Sequence, residues 1–282
     1  MRLKHFLPPT YRELRRSHVA FVESANLAIM WSNKAACTTV MKWVFLHNGL
    51  LAESLAHGRW VHRYRLRQYQ KSERYLSRLE DFGHGKLAVV KVVRNPFERT
   101  VSSYIHAYRM GYEDGAVSEV VQRPLNRQHR FSFREFVTFL ERINLRTCNP
   151  HHRVQVTPVE RRPLFRVRPR QIIKIEQGLE KALNDLERSV GLPATDLTDQ
   201  VFASEHHTQR VSQHGPAADL TQFSRDGLPP TNAFYDDDLR RRVARLYAED
   251  FRCYGYSTDA AQVADAESGE PIARASFSQV QP

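Results

Sequence analysis

The sequence from Lys86 to Ser103 reads KLAVVKVVRNPFERTVSS, and this stretch decides the fold class. Its first eight residues are mostly apolar and β-branched, a composition typical of a strand buried on both faces of a parallel sheet. Asn95, Pro96 and Glu98 follow almost at once. An N-cap residue, a proline at the first helical position and a glutamate at the third predict a helix that begins with a capping box. A buried strand that leads directly into a helix is the building unit of an α/β fold.

The rest of the chain repeats this alternation of strand and helix. Short apolar runs bounded by polar residues predict further strands at residues 18–22, 27–31 and 170–175. Helical spacing of apolar residues predicts helices over 38–47, 96–108, 132–143, 179–190 and 239–251. We therefore expect an α/β fold whose central, mainly parallel sheet is flanked by helices. We expect residues 1–258 to form a single domain, followed by a mobile polar tail over 259–282.

The charge of the chain favours an anionic ligand. The formal net charge is +11 at pH 7, which suits nucleic acid, a phosphorylated cofactor, an acidic polysaccharide or a membrane surface. No apolar run approaches the roughly 18 residues that span a bilayer, so we expect no transmembrane segment. Cys37, Cys148 and Cys253 are too few for a disulfide framework and lack C-x-x-C spacing. We therefore expect a cytoplasmic protein without a structural zinc ion.

The first strand–helix junction carries an anion-binding pattern, which reads SNKAACTT from Ser32 to Thr39. Ligands of parallel sheets bind at the carboxyl ends of the strands. Small residues let backbone amides approach an anion there, and the start of the following helix adds a partial positive charge. Lys34 supplies a full charge, while Thr38 and Thr39 supply hydroxyl donors. The lysine comes first and no glycine is present, unlike in a Walker A loop, so an ordinary turn with an exposed lysine remains an alternative.

The second junction adds a guanidinium group at the same edge of the sheet. Arg94 ends the central predicted strand, and Ser102 follows on the next helix. The planar fork of arginine donates two parallel hydrogen bonds, which suits a phosphate. Taken alone, this pattern also fits a surface arginine and a serine packed on its helix.

Two motifs therefore occur together: Lys-x-x-x-Thr from Lys34 to Thr38, and VRNPFERTVSSY from Val93 to Tyr104. This combination resembles the sulfotransferase superfamily, most closely the branch that holds carbohydrate sulfotransferases and many bacterial, soluble relatives. Segments that look like other parts of that branch lie at residues 149–155, 173–185 and 234–256. The resemblance thus covers about residues 18–257, and it implies that the α/β fold is a P-loop-like three-layer sandwich.

The resemblance implies a donor and the residues that bind it. Members of the superfamily use 3′-phosphoadenosine-5′-phosphosulfate and release adenosine 3′,5′-bisphosphate, with no metal ion. By this resemblance Arg94 and Ser102 would hold the 3′-phosphate, and Arg210 would replace a phosphate clamp that the sequence lacks. The acceptor would be a hydroxyl group, with carbohydrate favoured by the branch. The loop around the 5′-phosphosulfate would consist of Lys34, Ala35, Ala36, Cys37, Thr38 and Thr39.

Some positions depart from the family pattern and bear on the acceptor more than on the donor. They are Asn33 in place of proline, Cys37 in place of serine or threonine, His152 in place of tryptophan and Val154 in place of proline.

The chemistry of sulfuryl transfer asks for two kinds of group. Charge that builds on the leaving phosphate must be stabilised, and the acceptor proton must be removed. Lys34 is the candidate for the first task. His62 and His151 are the candidates for the second, because imidazole titrates near neutral pH, and a carboxylate is the alternative. His62 lies between the two donor motifs, and His151 lies in the family-like segment 149–155.

Two other classes of function remain open from the residues alone. A P-loop-type kinase acting on a nucleotide or small molecule would need a Walker A glycine pair and an acidic magnesium ligand after a strand, yet Arg94 stands there. A non-catalytic nucleic-acid-binding protein would use the basic run from Arg161 to Arg170. We interpret that run instead as a basic rim or acceptor groove, or as a solvated loop, and expect no nucleic-acid partner.

Overall fold

The computed structural model describes residues 9–58, 60–126, 130–202, 215–223 and 227–258. The predicted tail over 259–282 and the predicted phosphate ligand Arg210 lie outside the described residues.

The described strands form one open sheet in the chain order β1, β2, β3 and β4, where neighbours are hydrogen-bonded. The strands are β1 (Val19–Val22), β2 (Leu27–Trp31), β3 (Ala88–Val93) and β4 (Gln171–Lys174). β1 runs antiparallel to β2, whereas β2, β3 and β4 are parallel to one another. All residues of β2, and all but the first of β3, are buried, as expected for central strands covered on both faces. The prediction of an α/β fold with a mainly parallel sheet flanked by helices is confirmed.

Helices precede, separate and follow these strands. Their bounds are α1 (Pro9–Arg16), α2 (Cys37–His47), α3 (Leu51–Ala56), α4 (Val61–Arg67), α5 (Glu73–Gly83), α6 (Pro96–Met110), α7 (Asp114–Val121), α8 (Phe133–Leu140), α9 (Pro158–Arg161), α10 (Leu179–Val190), α11 (Asp237–Leu246) and α12 (Ala248–Tyr254). One apolar cluster surrounds the sheet and includes residues of α2 and α5, while a second joins α6, α8 and α11. In the part of the chain described here, no helix is long and apolar enough to cross a membrane.

The start of α6 differs from the predicted capping box. Asn95 caps the helix, since its side-chain oxygen accepts from the Phe97 amide at 2.9 Å. Glu98, however, turns to the guanidinium of Arg94, with Nη2 to Oε2 at 2.9 Å. In a capping box, Glu98 would accept the backbone amide of Asn95. This part of the prediction is wrong, because the guanidinium of Arg94 is the stronger partner for the Glu98 carboxylate.

The predicted single helix over 239–251 is wrong as well, because the chain breaks at Tyr247 between α11 and α12. The Tyr247 hydroxyl donates to the His152 carbonyl at 2.7 Å. Just beyond the break, the buried Asp250 carboxylate accepts the amides of Gln155 and Val156 at 2.7 and 3.1 Å. These tertiary hydrogen bonds compensate for the interrupted helix, and they anchor the irregular segment of residues 149–157, hereafter the 149–157 loop.

A buried lysine fixes the same loop to the sheet. Lys91 lies in β3 with 0% of its surface exposed. Its Nζ donates to the Gln155 carbonyl at 2.9 Å and to Glu160 Oε2 at 3.1 Å. Since buried charges are tolerated only when they are paired, this ion pair fixes where the loop crosses the carboxyl edge of the sheet.

Candidate active site

The loop between β2 and α2 has the backbone of an anion site. Lys34 and Ala36 adopt positive φ angles of 69° and 52°, and such left-handed turns make concavities lined by backbone N–H groups. Ala36 is the N-cap of α2, and no side chain caps the helix. The amides of the first helical turn have no partners within the helix. They are therefore available to an anion at the carboxyl edge of the sheet.

Lys34 brings a perturbed charge to this loop. Its side chain is half-buried, and burial lowers its pKa to about 8. Burial is the largest cause of this lowering, Cys37 acts in the opposite sense, and Arg94, Arg99 and Arg109 contribute to the lowering. The crowding of cations around one buried lysine disfavours its charged form. An anionic ligand placed here would relieve that repulsion.

The hydroxyl and thiol groups of the loop have different surroundings. Thr39 Oγ1 lies 3.5 Å from the Phe202 carbonyl. Burial raises the pKa of the Cys37 thiol, against the opposing effects of Lys34 and Arg65. Ser32, which the sequence motif did not single out, is 5% exposed. Of the residues described, none pairs with its Oγ, so it is a buried hydroxyl available to a ligand at the end of β2.

Arg94 joins the two junctions. Its Nη1 donates to the Lys34 carbonyl at 3.4 Å, while its Nε and Nη2 donate to Glu98 at 3.1 and 2.9 Å. The structure thus brings together the two cations that sequence reasoning placed at the same sheet edge. Ser102 lies half-buried on α6.

The backbone of Arg94 is held by a side chain that carried no predicted role. Gln155 Oε1 accepts from the Arg94 amide at 3.0 Å, and Gln155 Nε2 donates to the Arg94 carbonyl at 2.8 Å. Gln155 is 1% exposed. Its amide therefore continues the β-ladder past the end of β3 and sets the direction in which the arginine leaves the strand.

Arg99 connects the first junction with the 149–157 loop. It is 1% exposed, and its Nε donates to the Asn33 carbonyl at 3.0 Å. Its Nη2 donates to the carbonyls of His151 and Arg153. One buried guanidinium thus joins the loop between β2 and α2 to the 149–157 loop.

The geometry described so far is that of two cationic strand–helix junctions in contact. Residues 18–257 match the sequence profile of the sulfotransferase family. The chain belongs to the sulfotransferase family. No curated protein and no solved structure shows significant similarity to this sulfotransferase. Within the described ranges, no group of three or more His, Cys, Asp or Glu side chains is arranged to hold a metal ion.

His151 of this sulfotransferase lies in the 149–157 loop beside α6. Its ring centroid is 4.3 Å from that of His106, and its Nδ1 lies 3.0 Å from Asn149 Oδ1. The pKa of His151 is lowered to about 3, chiefly by burial and also by its neighbours His106 and Lys34. His151 is therefore neutral at physiological pH. Arg99 binds both the Asn33 carbonyl and the His151 carbonyl, so His151 lies on the segment that is joined to the Lys34 loop.

His62 lies on α4 and is 6% exposed. Its Nδ1 accepts from Arg65 Nε at 3.2 Å, and the Arg65 guanidinium lies over the Trp31 ring at 5.6 Å. Trp31 is the last residue of β2, so Arg65 joins His62 to the strand that leads into the loop. Its catalytic role stays a prediction.

The basic run from Arg161 to Arg170 lies elsewhere. Arg161 pairs with Glu249 at 2.6 Å, and Arg162 pairs with Glu13 at 2.6 Å. The run directly precedes β4, which places its end at the amino edge of the parallel strands, opposite Lys34 and Arg94. The end of the run therefore lies away from the donor loop, and the role of the run stays a prediction.

Sequence reasoning missed Arg99 and Gln155 because their partners are distant in the chain. Helical spacing could have shown that several polar side chains share one face of α6, the face that contacts the 149–157 loop. Ser103 Oγ donates to the His151 carbonyl at 2.9 Å. The side chains on this face of α6 are Arg99, Ser103 and His106.

Proposed function

We propose that this sulfotransferase moves a sulfuryl group from 3′-phosphoadenosine-5′-phosphosulfate to a hydroxyl group, with carbohydrate as the acceptor class and a reducing cytoplasm as the compartment. The observation that carries the proposal is the contact between the two junctions, with Arg94 Nη1 at 3.4 Å from the Lys34 carbonyl. A donor with an anionic group at each of two positions needs two cationic sites at a fixed separation. The cytoplasmic location rests on the three cysteines, which are all free thiols.

The residues of the loop fit a phosphosulfate group. The uncapped start of α2 offers backbone amides, Lys34 offers a charge, and the Ser32 hydroxyl is buried and unpaired within the described part of the chain. Thr38 and Ala35 complete the loop, and small side chains there leave the amides accessible. We assign this loop to the 5′-phosphosulfate.

Arg94 and Ser102 fit the 3′-phosphate in the same scheme. The guanidinium of Arg94 is half-buried and paired with Glu98, so a phosphate would replace a carboxylate as its partner. Phosphate carries more charge than the carboxylate and accepts two parallel hydrogen bonds from a guanidinium fork. Arg210 stays part of the proposal as a further phosphate ligand.

The proposed reaction breaks the bond between sulfur and the bridging phosphate oxygen, and it forms a bond between sulfur and the acceptor oxygen. Protonated Lys34 stabilises the charge that collects on the leaving phosphate oxygen. Its pKa of about 8 leaves it mostly charged at neutral pH. The acceptor proton passes to an imidazole nitrogen, for which we propose His151, with His62 as the second candidate. Arg99 joins the His151 carbonyl to the Asn33 carbonyl beside Lys34, which supports this order.

Calorimetry with two adenosine nucleotides tests the donor assignment. Arg94→Ala should weaken binding of adenosine 3′,5′-bisphosphate by about 10- to 100-fold, since a hydrogen bond to a charged group contributes about 1.5–3 kcal/mol. Binding of adenosine 5′-phosphate should stay nearly unchanged. Arg241→Ala on α11 is the matched control, because Arg241 is 68% exposed. Equal losses for both nucleotides would remove Arg94 from the 3′-phosphate site.

The acceptor class needs its own experiment. Purified protein with isotopically labelled donor is offered mono- and oligosaccharides, lipids and phenols, and sulfated products are read by mass spectrometry. Transfer to sugar hydroxyls is the expected result. Transfer to a phenol alone would contradict the carbohydrate proposal but leave the donor assignment intact.

A further inference from the structure

We infer that Asn149, itself oriented by Glu113, is a positioning residue that keeps the proton of His151 on Nδ1 and so makes Nε2 the atom that accepts a proton. This inference rests on the proposed function, because it concerns the histidine proposed as the base. It adds two residues, Asn149 and Glu113, for which neither the family motifs nor the loop chemistry provides a role.

The first step concerns the hydrogen bonds that Asn149 Oδ1 accepts. It accepts from the His151 backbone amide at 3.1 Å and lies 3.0 Å from His151 Nδ1. An amide oxygen can only accept hydrogen bonds, so the ring nitrogen next to it must donate. A neutral imidazole carries one N–H group, so Nε2 then holds a lone pair.

The second step concerns the orientation of the Asn149 amide. Its Nδ2 donates to Glu113 Oε1 at 3.2 Å. The reversed amide would place an oxygen against a carboxylate and an NH₂ group against the His151 backbone N–H. Both contacts would be repulsive, so the hydrogen-bond network selects the orientation with Oδ1 toward the imidazole.

The third step concerns what holds Glu113. The same carboxylate oxygen lies 3.1 Å from His152 Nε2, and His152 is 0% exposed. His152 Nδ1 lies 2.6 Å from Ser103 Oγ. A carboxylate between a buried imidazole and an amide has little freedom to turn, so the orientation of Asn149 is set by the packed interior of the protein.

The electrostatic surroundings make the tautomer matter. Burial and neighbouring positive charges keep His151 neutral, with a pKa of about 3. In water, the neutral imidazole of histidine favours the other tautomer, with its proton on Nε2. The Asn149 contact therefore selects the form that water would disfavour. The groups that face this ring from the surrounding elements are Lys34, Arg99, His106, Tyr112, Glu113 and His152.

The test begins with nitrogen-15 NMR of the full-length protein, which requires no acceptor. In the wild type, His151 Nδ1 should show the chemical shift of a protonated ring nitrogen and Nε2 that of an unprotonated one. In Asn149→Leu the two assignments should exchange or average. Asn144→Leu is the matched control, because Asn144 also accepts a backbone amide, that of Arg146 at 2.9 Å, and it should leave the His151 shifts unchanged.

A paired swap guards against a variant that fails to fold. Asn149→Asp combined with Glu113→Gln exchanges the amide and the carboxylate, so an acceptor still faces His151 Nδ1 and a donor still lies between the two side chains. This double variant should keep the wild-type tautomer, and it avoids the two adjacent carboxylates that Asn149→Asp alone would create.

Kinetics separates a positioning role from a structural one. With the best acceptor from the screen, Asn149→Leu should lower kcat by about 10²-fold, within the range that general-base catalysis contributes, while calorimetric affinity for adenosine 3′,5′-bisphosphate stays within about twofold. An unprotonated Nδ1 in the wild type would overturn the inference, as would an unchanged tautomer in Asn149→Leu. Full activity of His151→Ala would instead overturn the proposed base, and the NMR result would be unaffected by it.

Discussion

The buried pair of Lys91 and Glu160 offers a quantitative test of how the site is held. The Nζ–Oε2 distance of 3.1 Å corresponds to a Coulomb attraction of about 5 kcal/mol at an effective dielectric constant of about 20. Removing one partner of a buried pair typically costs about 3–5 kcal/mol, because the other charge stays buried. Lys91→Met should therefore lower the free energy of unfolding by about 4 kcal/mol.

The surroundings of Glu160 determine how much unfolding free energy Lys91→Met loses within the range of about 3–5 kcal/mol. Its carboxylate keeps the Thr157 amide at 2.8 Å, the Thr157 hydroxyl at 2.6 Å and the Tyr254 hydroxyl at 3.0 Å, which reduces the loss. The Gln155 carbonyl, however, loses its Lys91 partner, which adds about 1–3 kcal/mol. Glu160→Gln in the Lys91→Met background removes the stranded charge, so the double variant should be at least about 2 kcal/mol more stable than the sum of the two single losses predicts.

Urea unfolding with linear extrapolation measures these differences. Lys86→Met is the matched control, since Lys86 pairs with Asp81 at 3.0 Å but is 64% exposed, and exposed pairs contribute about 0–1 kcal/mol. A loss in Lys91→Met no larger than that in Lys86→Met would refute the reasoning. Additive losses in the double-mutant cycle would show that the pair is not coupled.

Two further predictions concern charge. Glu98→Gln should release Arg94 from a partly buried i,i+4 ion pair, which contributes about 0.5–1 kcal/mol. Calorimetry should therefore show about two- to fivefold tighter binding of adenosine 3′,5′-bisphosphate and unchanged binding of adenosine 5′-phosphate. Weaker binding of the bisphosphate would mean that Glu98 pre-orients the guanidinium. Burial and the charges of Arg65 and Lys91 lower the pKa of His18 to about 3. Between this value and the unfolded pKa of about 6.5, the unfolded chain binds a proton that the folded chain does not. The free energy of unfolding is therefore unaffected by His18 above about pH 6.5 and decreases as the pH falls toward 3. His18→Asn, which tolerates the positive φ of 49°, should reduce the slope of unfolding free energy against pH between about 4 and 6 by about 1.4 kcal/mol per pH unit, and an unchanged slope in urea titrations would contradict it.

The sequence determined the elements whose signals are local. The strand over residues 86–93 was visible as a β-branched run, and the structure places β3 at Ala88–Val93. Asn95 and Pro96 marked the start of α6, because capping depends on neighbours within one turn. The proximity of Lys34 to Arg94 also followed from the sequence, since parallel strands bring their carboxyl ends to one edge.

Only the tertiary structure decided how those cations are held and which groups face them. Gln155 lies 61 residues from the Arg94 backbone that it brackets, and Arg99 lies 66 residues from the Asn33 carbonyl that it binds. The sequence does not encode either partner: the first pair depends on where the 149–157 loop crosses the sheet, and the second depends on how α6 packs against the loop between β2 and α2. The break at Tyr247 has the same origin: local propensity favours one helix, but hydrogen bonds to the 149–157 loop stabilise two.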